Sequence, residues 1–75
     1  MDTARHTTQD ATEAAASREV AGLRSRATSL RHQADALDDV LAVTYRRRAS
    51  ELEMEAWILE VQFGLTVTEA HPSAA

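Results

Sequence analysis

Residues 20–37 read VAGLRSRATSLRHQADAL, and residues 45–63 read YRRRASELEMEAWILEVQF. In the first stretch Val20, Leu23, Ala27, Leu30, Ala34 and Leu37 alternate by three and four. That spacing is a heptad seam, with Val20, Ala27 and Ala34 at a and Leu23, Leu30 and Leu37 at d. The second stretch repeats the pattern with Tyr45, Leu52 and Leu59 at d and Ala49, Ala56 and Phe63 at a. The two seams fall out of phase across residues 38–44. Small alanines recurring at a let two helices approach closely, which suits antiparallel packing.

The charges flanking the seams give direction. The e positions are Arg24, Arg31 and Asp38 in the first seam and Arg46, Glu53 and Glu60 in the second. In an antiparallel pair e faces e. Folding the chain back on itself then sets Arg24 against Glu60, Arg31 against Glu53 and Asp38 against Arg46. All three pairs are opposite in sign and share one register. The g positions set Glu19 against Gln62, Arg26 against Glu55 and Gln33 against Arg48, with no repulsion. Each exposed pair contributes only about 0.5 kcal/mol, so the pattern matters for partner and direction rather than for strength.

The register centres near residues 40–42, and two structures satisfy it. In the preferred one the chain turns within 38–44, giving an all-α antiparallel hairpin with helices over about 11–38 and 42–64. Asp38 or Asp39 then caps the second helix, and the turn absorbs the phase break. The alternative is one continuous helix pairing antiparallel with a second copy. The absence of Gly and Pro from 38–44 suits that alternative, while the rarity of very long helices weighs against it.

Outward from the seams, Asp10 and Glu13 have the spacing of a capping box, and Ala14-Ala15-Ala16 is a strong helix former. Residues 1–9 lack apolar periodicity and read as a flexible tail. Gly64 is placed to end the second helix, with Leu65 following as its hydrophobic contact. Residues 65–75 read as an extended stub, Leu65-Thr66-Val67-Thr68, followed by a tail. The domain proper is thus expected over 10–64.

The second helix has more apolar surface than one partner covers. Met54, Trp57, Ile58, Val61 and Leu65 lie away from its seam. A helix apolar nearly all round is buried on more than one side. At about 25 cal/mol per Å2 of apolar surface, leaving Trp57 and Ile58 in water forgoes several kcal/mol. The sequence therefore predicts a homo-oligomer, a dimer of hairpins forming a four-helix bundle, or a docking face for another protein. Glu53, Glu60 and Arg47 would form its polar rim.

Composition supports a binding module over a catalyst. The chain has 75 residues, which allows one small domain. Below roughly 80 residues a lone core is marginal and oligomerisation is expected. There is no Cys, so no disulfide, thiolate metal site or Cys nucleophile. All 8 fixed positive charges are Arg and none is Lys, which reads as composition bias. No apolar run is long enough to span a bilayer, and the polar start is unlike a signal peptide. A cytoplasmic location is expected, with no membrane partner.

The Arg46-Arg47-Arg48 run could contact phosphates and supports an alternative reading, a small nucleic-acid-associated regulator. A net charge of −4 and the nearby Glu51, Glu53 and Glu55 weigh against it. His32, Asp35 and Asp39 could share a helical face, but one His and two carboxylates on open surface make a poor metal site. Glu51, Glu53 and Glu55 splay apart on a helix, and no Ser has a His at workable spacing to act as base. The sequence thus predicts no enzyme, cofactor or metal. It points to a non-catalytic helical adaptor, inhibitor or assembly factor.

Overall fold

The computed structural model describes the backbone of residues 2–65 and the side chains of residues 10–65. It is an all-α antiparallel hairpin of α1 (Asp2–Asp35) and α2 (Asp39–Gln62) packed along each other. The continuous-helix alternative is thereby set aside. The expected stub and tail from Thr66 onward lie outside the described residues.

The helix ends differ from the sequence expectation in informative ways. α1 starts at Asp2 rather than near residue 11, so Asp10 lies inside the helix and does not cap it. A helix needs no apolar stripe to continue past its packed portion, because propagation from an existing helix is far easier than nucleation. The turn occupies residues 36–38, ahead of the expected 38–44. Ala36 and Leu37 donate back to the Gln33 and Ala34 carbonyls at 3.1 Å, tightening the end of α1. Asp38 is extended (φ −68°, ψ 166°), and its carboxylate accepts the Leu41 N–H at 3.1 Å. That is an N-cap interaction, and it starts α2 three residues earlier than expected.

α2 ends in a Schellman motif. Gly64 sits at φ 64°, in the left-handed region that penalises any side chain. The Leu65 N–H reaches the Glu60 carbonyl at 2.8 Å, and the Gly64 N–H reaches that of Val61 at 3.3 Å. Leu65 is thereby turned onto the hairpin core.

The core follows both heptad seams. Val20, Leu23, Ala27, Ala49, Leu52 and Ala56 form its buried centre, with Leu30, Leu59 and Leu65 packed against it. Ala34 is also buried, and Leu37 and Tyr45 are half-buried. Phe63 is the exception: it is the C-cap of α2 and is 37% exposed. Ala16 and Ala42 are buried as well. Each extends a seam by one heptad, so the same spacing that found the rest also reaches them.

Gly22 lies in mid-α1, exposed, and a methyl group added there would meet nothing within 4 Å. Gly22→Ala is expected to raise stability by about 1 kcal/mol, from backbone entropy alone. Urea denaturation followed by circular dichroism checks this; an unchanged midpoint would mean that α1 is not helical at Gly22.

Candidate docking face

Two of the three expected interhelical ion pairs form. Arg24 Nη2 meets Glu60 Oε1 at 2.5 Å. Arg31 binds Glu53 with two nitrogens, Nη2 to Oε1 at 2.5 Å and Nε to Oε2 at 3.4 Å, and also donates to Ser50 Oγ at 3.2 Å. The bond to Glu53 holds the Arg31 guanidinium above its ordinary pKa. This contribution is therefore fully present throughout the physiological range and is lost only as pH rises through the raised value.

The third pair is corrected. Asp38 does not face Arg46, because its carboxylate is spent on the Leu41 N–H. Arg46 instead reaches Asp35, the last residue of α1, at 3.2 Å. On the g side Arg48 binds Glu51, one turn along its own helix, at 3.1 Å rather than Gln33. Among the described residues no ion pair joins Arg26 to Glu55.

Burial separates the two pairs that form. The side chain of Glu60 is 3% exposed, whereas Arg31 and Glu53 are both substantially in solvent. Glu60 is the one buried charged residue among those described. It therefore cannot serve in a polar rim, the place the sequence gives it. Charge signs along a heptad report pairing; they do not report depth.

Arg31→Glu is expected to cost about 1 kcal/mol, and adding Glu53→Arg should return part of it, since the pair is exposed and two-pronged. Thermal melts of the four combinations measure the coupling. A double variant no better than Arg31→Glu would show the pair to be inert.

The far side of α2 carries further apolar side chains. Met54, Trp57, Ile58 and Val61 are all exposed there, with Trp57 the least so at 37%. Leu65, grouped with them on sequence, belongs to the core side instead. Two further residues join this face near the turn, Val40 and Val43. The three-and-four spacing back from Val61 through Trp57 and Met54 reaches both. Beside Ile58 a groove of about 290 Å3 runs between the helices, lined by Glu19, Leu23, Glu55 and Leu59.

Of the arginine run, Arg46 and Arg48 are held in ion pairs within the hairpin. Arg47 makes none among the described residues. His32 is exposed on α1, while Asp39 starts α2, across the turn from it. No group of three His, Asp or Glu side chains among the described residues is placed to hold a metal ion. Among the described residues no helix is long and apolar enough to cross a membrane. No protein-family model, curated protein or solved structure matches the chain.

Proposed function

We propose that this chain is a non-catalytic interaction module of the cytoplasm, which self-associates and docks a partner protein through the outer face of α2. The observation that carries the reading is the exposure of Met54, Trp57, Ile58 and Val61 on one face of a helix whose opposite face is already packed. A helix with two apolar faces and one partner has a second surface to cover. Contiguous exposed apolar surface of this kind marks binding sites on small proteins.

The mechanism is helix-face docking. Trp57 and Ile58 enter a hydrophobic groove on the partner, and Glu53 and Arg47 stand at the edge. Trp57 is the anchor, because a central aromatic side chain commonly dominates such interfaces. The rigid hairpin behind it presents the face in one orientation, which lowers the entropy lost on binding.

The test is affinity capture from native extract with wild type beside Trp57→Ala and Met54→Glu. Both variants should lose the captured partner while retaining helix content. In Met54→Glu a carboxylate would have to be desolvated at an apolar contact without compensation. Undiminished capture by both variants would refute the docking face.

A further inference from the structure

We infer that the outer face of α2 is covered by a second copy of this chain, laid antiparallel, with the twofold axis close to Ser50 and Glu51. The inference rests on the docking reading above and names its occupant. The first support is a second three-and-four stripe along α2. Val40 and Val43 begin it near the turn, Met54, Trp57 and Val61 end it, and Arg47 and Ser50 fill the middle. All five apolar members are exposed. At 1.5 Å per residue the stripe is roughly 30 Å long, the geometry of a helix-pairing seam rather than of a local patch.

The arrangement of the stripe selects direction. Apolar residues sit at its two ends and the polar pair at its centre. Two antiparallel copies place Val40 of one level with Val61 of the other, and Val43 beside Trp57. Arg47 then lies level with Met54 of the second copy, its alkyl stem over that side chain. A parallel pair would instead stack Arg47 on Arg47, and like charges facing each other in a seam are unfavourable.

Charge complementarity supplies the second support. The basic run Arg46–Arg48 occupies the first half of α2, and Glu51, Glu53 and Glu55 follow in the second. Antiparallel copies lay each basic run over the other's acidic one. Arg46 and Arg48 already have partners within the hairpin, so Arg47 is the arginine available to bridge copies. About one helical turn separates its level from Glu51 of the second copy, within reach of an arginine side chain; Glu51 already accepts from Arg48 of its own hairpin and would take Arg47 as a second donor. A complementary pattern contained within a single helix is what a self-pairing surface needs, because the same patch must serve both sides.

Sedimentation at micromolar concentration tests this on the full chain. Wild type should be dimeric. Arg47→Glu and Glu51→Arg should each weaken the dimer about tenfold or more, since symmetry makes each substitution count twice. Mixing the two variants should restore it, because each then supplies the charge that the other lacks. Direction is read separately, using the chain's lack of cysteine. Val40→Cys mixed with Val61→Cys should form the mixed disulfide on oxidation, and Val61→Cys alone should not link to itself.

Several results would overturn the inference. A monomeric wild type whose partner capture still depends on Trp57 would refute the second copy and leave the docking face standing. A dimer unaffected by both charge variants, or self-linking of Val61→Cys in preference to the mixed disulfide, would refute the antiparallel arrangement. A dimer that persists in Trp57→Ala, with partner capture also intact, would refute both the inference and the docking reading.

Discussion

Arg24→Ala is expected to cost about 3 kcal/mol, which is most of the stability a two-helix unit of this size can hold. The reason is the burial of Glu60, not the strength of the contact. Its carboxylate is 3% exposed and takes Arg24 Nη2 at 2.5 Å. Truncating Arg24 leaves a carboxylate that is almost wholly out of water without its guanidinium, at the end of the hairpin beside Glu13 and Ser17. Arg24 itself is imperfectly served, because its Nε is buried without an acceptor. The pair is therefore a poor stabiliser that becomes harmful when halved. Joint replacement, Arg24→Met with Glu60→Leu, should be neutral or stabilising. Urea denaturation of the two variants separates these outcomes. A loss from Arg24→Ala no larger than that from Arg31→Glu would show that Glu60 reaches solvent.

Ala49→Leu should be nearly as damaging, by about 2–3 kcal/mol from overpacking. Ala49 and Ala56 are completely buried, and Ala27 and Ala34 on α1 are almost so. A methyl group on each helix sets how closely the backbones approach. A leucine at Ala49 has nowhere to go except between the helices, so it must separate them or leave its rotamer. Separation also pulls Arg31 away from Glu53 and strips contacts from Leu52. The same substitution at exposed Ala14 should change stability by less than about 0.5 kcal/mol. The melting temperatures of the two variants make the comparison directly. Similar values would mean that the helices do not meet at Ala49.

The hairpin and its register were legible because two independent signals agreed. Three-and-four spacing located the seams, and opposite signs at Arg24, Arg31, Glu53 and Glu60 fixed which way they meet. What stayed hidden involved residues with two possible uses. Asp38 suits both a cap and an ion pair; a backbone N–H three residues away outcompetes a distant arginine, and Arg46 turns to Asp35. Leu65 fits both an outer face and a Schellman contact, and the left-handed turn at Gly64 decides in favour of the core. The early start of α1 was hidden because polar residues can extend a helix without leaving an amphipathic trace. The burial of Glu60 was hidden because depth depends on how Arg24 and the turn at Gly64 and Leu65 close around it.

Of the candidate face, Met54, Trp57, Ile58 and Val61 were legible as apolar positions left over from the seam. Val40 and Val43 were missed. Both fall in the phase break, where the turn was expected, and Val40 becomes part of α2 only because Asp38 starts the helix early.

The three-residue connection between the helices also bears on how fast the chain folds. Its cross-helix contacts form a ladder of growing sequence separation: 11 residues for Arg46–Asp35, 22 for Arg31–Glu53 and 36 for Arg24–Glu60. Loop closure costs more at each rung, but slowly, so the hairpin should zip from the turn outward without a large late barrier. Contacts of this kind belong to fast-folding helical topologies. Asp38→Ala, in the turn just ahead of the first rung, should then slow refolding, whereas Arg24→Ala, at the last, should mainly accelerate unfolding. Stopped-flow kinetics of the two variants would distinguish this polarity, and equal partitioning between the two rates would mean that both ends form together.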